Sequence, residues 1–263
     1  MEARRWAVVV VFASLIAGCG RGTAAPAGPA LACGEGVPPA GVAASPSFGD
    51  FWRSVLGRML AAGEEPSPQD RRLVIDLNER TITLFVKGQK VKTYPVAIGT
   101  EEDPSPVGEF QVVHKDRDWG DGFGPRWMGL NVPWGIYGIH GTNKPWSIGT
   151  RASHGCFRMY NEDVIELFPE VPLGTPVDIV GPDPEYVPRD LYEPGENGQD
   201  VVVLQFLLRR AGWNSGRADG RYGDNVVAAV KQAEAFYGLP VDGQAGRDLQ
   251  WLLGLRHEGE ESK

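Results

Sequence analysis

The segment RASHGCFR, residues 151 to 158, places a cysteine two positions after a histidine, and a second histidine, His140, lies in IHGTN at 139 to 143. A thiol acts as a nucleophile when a base takes its proton, donors hold the developing oxyanion and a fixed backbone exposes the sulfur. Free cysteine titrates near ~8.5, so little thiolate exists at neutral pH unless an imidazole stabilises it. The expected arrangement has His140 closing one strand and Cys156 in a loop that returns beside it. Gly155 would let that loop turn tightly and aim the amides of Gly155 and Cys156 at a carbonyl oxygen. Arg158 is placed to hold a substrate carboxylate, the alternative being a surface salt bridge to Glu162 or Asp163. His140, His154 and Cys156 are also metal-ligand types, but no second Cys/His pair completes four ligands, so no metal is expected. His114 and His257 have no motif around them.

The keeping of a thiol is informative because the chain reads as exported. Arg4 and Arg5 precede an apolar run from Trp6 to Ala17 that is too short for a relaxed bilayer span, so residues 1–19 have the shape of a signal peptide. Ile16, Ala17, Gly18 and Cys19 resemble a bacterial lipobox, in which Cys19 is lipidated and anchors the mature chain to the membrane. An ordinary secretion signal or an uncleaved anchor is the alternative. Residues 20–47 are dominated by Gly, Ala, Pro and Ser and read as a tether. Cys33 lies in that tether, and a Cys33–Cys156 disulfide is the bland alternative to a working thiol. With 26 basic and 34 acidic residues the formal net charge is −8, which gives no general attraction to phosphates and excludes nucleic acid as the expected partner.

The elements that must hold these residues follow from periodicity. Residues 48–71 read as an amphipathic helix with Phe48, Trp52, Val55, Leu56, Met59 and Leu60 on one face, followed by a linker. From Leu73 the period becomes two: LVIDL and TITLFV, then KGQ, then KVKTYPVAIG, predict successive hairpins with apolar faces carried by Leu73, Ile75 and Leu77, then Ile82, Leu84 and Val86. Further strands are predicted at 108–115, around 135–141 and at 176–180. NEDVIELF predicts a helix with Asn161 as its N-cap and acids in the first turn. Between the strands, Trp119, Trp127, Trp134 and Tyr137 either wall a substrate groove or cap one end of the sheet.

After a Pro- and Gly-rich linker at 182–194 the period becomes helical in QDVVVLQFLLRRAGW and DNVVAAVKQAEAFYG. ADGRYG at 218–223 and VDGQAG at 241–246 form a small internal repeat, with Asp219 and Asp242 closing each turn.

These motifs carry two resemblances. IHGTN followed by SHGCFRM resembles the signature of the L,D-transpeptidase catalytic domain, and VIDLNERTITLFVKGQKVKTYPVAIG and SPVGEFQV are similar to its strands, over residues 72–181. The repeated turn region, residues 195–256, resembles the peptidoglycan-binding-like domain. The expected fold is therefore a mainly β domain, a β-sandwich with a short helix, plus a small all-α three-helix bundle. The resemblance implies that Cys156 attacks peptidoglycan tetrapeptide stems, releases D-alanine and forms 3–3 cross-links, or trims the stem when water resolves the acyl-enzyme; a non-catalytic wall-binding lipoprotein is the other alternative. It implies His140 as the base, Gly141 orienting His140 through its carbonyl, Ser153 and Gly155 completing the motif, and His154 shaping the loop. Arg158, Trp127, Trp134 and Tyr137 are expected to meet substrate, with no cofactor. His140 and Ser153 are 13 positions apart, short for the family.

Overall fold

The computed structural model describes residues 70–256. The expected signal peptide and tether, the helix expected from residue 48, Cys19, Cys33 and His257 lie outside the described residues.

The alternating apolar residues form strands because only a pleated chain sends every second side chain to one face. Strand β1 (Arg71–Asp76) pairs antiparallel with β2 (Thr81–Val86), placing Leu73 opposite Leu84 and Ile75 opposite Ile82, and all four side chains are buried. Lys87 and Gly88 both take positive φ, the two-residue turn whose twist suits a hairpin, and return the chain into β3 (Gln89–Pro95). The remaining strands are β4 (Ile98–Gly99), β5 (Gly108–Asp116), β6 (Trp127–Leu130), β7 (Gly138–His140), β8 (Arg151–Ser153), β9 (Phe157–Arg158) and β10 (Pro176–Val180).

Eight of them make one sheet in the order β3-β2-β1-β10-β5-β6-β7-β9, with parallel pairing at β1/β10 and β7/β9. The expected sandwich takes the form of this single sheet curled on itself. Ala97, just past one edge strand, exchanges both backbone hydrogen bonds with Arg158 on the other edge strand, at 2.9 and 3.0 Å. Residues from both halves, Leu73 and Leu84 with Ile139 and Phe157, therefore share one apolar core. Helix α1 (Asn161–Glu170) buries Val164 and Leu167 against it.

Two local expectations are corrected. The strand read around 135–141 is only Gly138–His140, because residues 131–137 are the β6–β7 connection, closed by Leu130 N–H donating to Tyr137 O at 2.8 Å. Asn161 does not cap α1. Tyr160 holds the cap position, and the Asn161 side chain accepts instead from Thr142 N–H at 2.8 Å, in the loop after His140.

The C-terminal part is helical: α2 (Gln199–Arg210), α3 (Asp224–Tyr237) and α4 (Arg247–Leu253) enclose a second core of Val201, Leu204, Leu208, Val226, Val230 and Leu249. A two-stranded ribbon of β11 (Leu191–Tyr192) and β12 (Ala245–Gly246) joins its ends. Asp219 and Asp242 each accept from the amide two residues on, at 3.1 and 2.8 Å, so both repeats are side-chain-closed turns. This body is docked on β5. Buried Glu109 receives Arg209 at 3.0 Å and Ala218 N–H at 2.8 Å, beside a small apolar cluster of Val202, Phe206 and Ala218 with Trp134 and Val180. Among the described residues no helix is long and apolar enough to cross a membrane.

Candidate active site

His140 ends β7, and its backbone partner in β9 is Arg158, two residues after Cys156. The parallel β7/β9 pairing thus brings the histidine strand and the cysteine loop together, across 16 residues of sequence from His140 to Cys156. Met159 N–H donates to His140 O at 2.8 Å and extends that pairing.

The imidazole is 3% exposed and held on three sides. Its Nδ1 lies 2.5 Å from Gly141 O; a carbonyl only accepts, so Nδ1 carries the proton and Nε2 keeps the lone pair. Trp127, its cross-strand partner in β6, stacks beneath it at 5.4 Å between centroids, and Phe123 meets it edge-on at 5.0 Å. Burial pushes the pKa of His140 down to about 4; the Gly141 and Phe123 carbonyls oppose this and the Arg158 guanidinium adds to it. His140 is a neutral base at pH 7.

Cys156 is a free, partly buried thiol. Its Sγ lies 3.8 Å from Ile136 O. Burial raises its pKa, while the Gly138 N–H and the positive field of Arg158 favour the thiolate and offset part of the rise. Both partners are therefore neutral at rest, and the proton must move as the sulfur attacks. No ion pair joins Arg158 to Glu162 or Asp163 among the described residues, which leaves its charge directed at the thiol and the imidazole.

Gly155 has φ +97, open to glycine and strained for other residues, and a Cβ there would strike the Tyr137 ring at 2.6 Å. The sequence expectation that its amide faces an oxyanion is corrected, because that amide is already engaged. It donates to Ser153 Oγ at 3.2 Å, and that hydroxyl donates to Cys156 O at 2.6 Å, so Ser153 cross-braces the turn. The Cys156 amide remains as the donor of that pair. Ser105 Oγ donates to Gly155 O at 2.9 Å and ties the turn from outside.

The other expected residues separate. The His154 side chain is 88% exposed and pairs with Asp103 at 2.6 Å, away from the buried His140. Trp127 does not wall a groove: it is 2% exposed, enclosed between Trp119 and His140 on the sheet face opposite Met128 and Ile139, which belong to the main core. Trp134 and Tyr137 line a cavity of about 590 Å³, together with His154, Arg151, the acidic run Glu101 to Asp103, and Gln199 of α2. Cys156 and His140 do not line it; Gly155, next to Cys156, lies against the ring of Tyr137, which does.

The L,D-transpeptidase catalytic domain family matches residues 70–179, and a peptidoglycan-binding domain family matches residues 197–250. The chain is similar to the L,D-transpeptidase YkuD of Bacillus licheniformis, 46% identical over 108 residues that span 41% of this chain and 64% of that protein. It is 34% identical to the L,D-transpeptidase YqjB of Bacillus subtilis over 130 residues, 44% of this chain and 74% of that one. The chain belongs to the L,D-transpeptidase family. Among solved structures, the catalytic domain of the Enterococcus faecium L,D-transpeptidase is 27% identical, with a TM-score of 0.37, over 43% of this chain and 98% of that one.

Within this L,D-transpeptidase chain several contributors escaped the sequence. Asn161, Ser105, Phe123 and Asp103 act on the motif from positions 17 to 51 residues away. Only Asn161 stood out, and it did so as a cap. Its acceptor role toward Thr142 fixes the loop that carries the Gly141 carbonyl, so it bears on His140 through the backbone.

Proposed function

We propose that this chain is a cysteine-dependent L,D-transpeptidase of peptidoglycan tetrapeptide stems that forms 3–3 cross-links. The observation that carries this reading is a free thiol beside the strand of a buried, neutral imidazole whose Nδ1 is committed to Gly141 O. Cys156 Sγ attacks the carbonyl carbon between the third, diamino residue and the terminal D-alanine. The thiol proton passes to Nε2 of His140 as the sulfur–carbon bond forms, and the carbonyl electron pair becomes an oxyanion facing the Cys156 amide. Collapse breaks the carbon–nitrogen bond. The D-alanine nitrogen takes the proton from His140 and leaves, and a thioester remains on Cys156.

The side-chain amine of a second stem then attacks the thioester and gives a proton to His140. Collapse expels the sulfur, which recovers that proton, and a new amide joins the two stems. Water in place of the amine gives a trimmed tripeptide, the L,D-carboxypeptidase outcome. Arg158 holds a stem carboxylate, and the cavity of Trp134 and Tyr137, with acids at its rim, suits an amine-bearing stem. The C-terminal helical domain binds glycan or stem peptide. The chain works outside the cytoplasm, with Cys19 as lipid anchor; a mature N-terminus elsewhere than a lipidated Cys19, read by mass spectrometry, would refute the anchor.

The deciding experiment incubates the full mature chain and its Cys156→Ala variant with disaccharide-tetrapeptide and analyses products by mass spectrometry. Dimers lacking one D-alanine, absent in the variant, are expected. Tripeptide monomers alone would replace cross-linking by trimming, and no product from a folded chain would leave only the wall-binding reading.

A further inference from the structure

The β6–β7 connection, residues 131–137, reaches Cys156 at one end and the C-terminal helical body at Asn131 and Trp134. Arg221 donates to Asn131 O at 3.3 Å where the connection begins. In its middle, Trp134 packs edge-on against Phe110 of β5 at 5.9 Å and belongs to both the main core and the Val202, Phe206, Ala218 cluster. Gly220, the tip of the first repeated turn, has φ +75, and any Cβ there would run into the Trp134 ring. That turn is itself fixed: Gly220 N–H donates to Gln205 Oε1 of α2 at 2.8 Å, and Gly220 O accepts from Gly198 N–H at 3.1 Å. At its far end the connection puts the Ile136 carbonyl at the Cys156 thiol, and the Tyr137 ring over Gly155.

The docking is polar and specific as well as apolar. The Gln199 side chain both donates to and accepts from the Val107 backbone, at 3.0 and 2.9 Å, and Glu109 N–H donates to Ala218 O at 2.8 Å. A wall-targeting module on a free tether would need none of these contacts. Apolar residues at such a joint would suffice to bury area, but paired backbone and side-chain bonds fix one orientation.

We propose that the C-terminal helical body is a positioning element of the catalytic centre, and that Trp134, wedged against Gly220, is the positioning residue through which it sets the backbone around Cys156. This rests on Cys156 being the acylated residue. The Ile136 carbonyl and the Tyr137 ring sit on the connection that Trp134 holds, so a shift of the ring changes the place from which the sulfur attacks. Its consequence is that catalysis on a small soluble stem, which needs no wall binding, still depends on the C-terminal body.

The test uses the full chain and a carbapenem as acyl donor, with the rate of Cys156 acylation read by mass spectrometry. Gly220→Ala pushes a methyl into the Trp134 ring from a turn that lies outside the catalytic residues. Acylation is expected to slow by roughly tenfold or more, since sub-ångström misplacement is costly to an oriented attack, while sedimentation with isolated cell walls stays unchanged. Trp134→Phe in the Gly220→Ala background removes the nearest clash while the contact with the Gly198 carbonyl stays, and is expected to restore part of the rate, a non-additive pair that mere destabilisation does not produce. Should Gly220→Ala fail to fold, Arg221→Ala tests the same connection from a surface position, with a slowing of roughly threefold expected. Unchanged acylation in folded Gly220→Ala or Arg221→Ala overturns the proposal while the transpeptidase reading stands. A native chain that is not acylated on Cys156 overturns both.

Discussion

Trp127 lies flat beneath His140, with ring centroids 5.4 Å apart and planes inclined by 26°, and Trp119 stacks on its other face at 5.3 Å. The imidazole is thereby the inner end of a three-ring pile whose outer ring, Trp119, is 41% exposed. Replacing Trp127 by Ala opens a cavity under the imidazole and is expected to cost about 3–5 kcal/mol of stability. Trp127→Phe retains a ring and is expected to cost less than half of that. Urea denaturation of the two variants checks the order, and equal stability of Trp127→Ala and the native chain would refute the role.

The buried imidazole predicts an unusual acid limb. His140 titrates at about 4 in the folded chain against ~6.5 when unfolded, so kcat/KM should hold its plateau down to about pH 5 and fall only near pH 4. An acid limb at 6.5 would contradict the burial of this imidazole. Because burial raises the Cys156 pKa, iodoacetamide alkylation should turn on above the ordinary thiol range, and Arg158→Gln should move it higher still.

The same shift makes a statement about stability. Between pH 6.5 and 4 the unfolded chain binds a proton at His140 that the folded chain refuses, so stability falls as pH falls through that window. The contribution present at pH 7 and lost by pH 4 is about 3 kcal/mol. His140→Gln should flatten this part of the stability–pH curve in guanidinium titrations. An unchanged slope would assign the acid sensitivity to other groups.

Asn161 makes a separable prediction. Asn161→Ala strips the Thr142 amide of its acceptor and is expected to cost about 1–2 kcal/mol and to lower kcat, with Asn161→Asp, which keeps an acceptor oxygen, closer to native. Thermal melts and steady-state rates on the three proteins check this. Equal kcat in all three would detach Asn161 from His140.

Arg209→Ala leaves Glu109 buried with only the Ala218 amide to meet its charge. A loss of about 3 kcal/mol is expected in denaturant unfolding. By contrast His154→Ala, which removes an exposed side-chain contact with Asp103, should change stability by less than about 1 kcal/mol. If the exposed pair proved the costlier, burial would not be what sets the worth of these two pairs.

The strands were legible where one face is buried. Leu73, Ile75, Ile82 and Leu84 alternate because the core lies on one side, and PVDIV at 176–180 became β10 without a change of bounds. The pairing of His140 with the cysteine loop was legible from the ordered motifs. What sequence concealed was the use of side chains over long separations. Nothing local distinguishes an asparagine that caps its own helix from one that reaches back to Thr142, or a serine that frees the Gly155 amide from one that takes it. Trp127 reads as an aromatic that walls a groove or caps the sheet, yet its cross-strand place opposite His140 encloses it between that imidazole and Trp119. The tight docking of the helical body rests on Glu109 and Arg209, 100 residues apart, and no periodicity records such a pair.

The bridge between Ala97 and Arg158 has a consequence for how the protein matures. β9 is gripped on one side by β7 and on the other by a residue made some sixty positions earlier, while β10 must insert between β1 and β5 before the sheet is continuous. Such distant pairings are slow to find one another, because loop closure must precede the contacts that reward it. A nascent or partly threaded chain therefore carries Cys156 as an ordinary, unactivated thiol. The His140 strand, the Gly138 amide and the Arg158 charge reach the sulfur as late products of assembly, once the whole sheet exists.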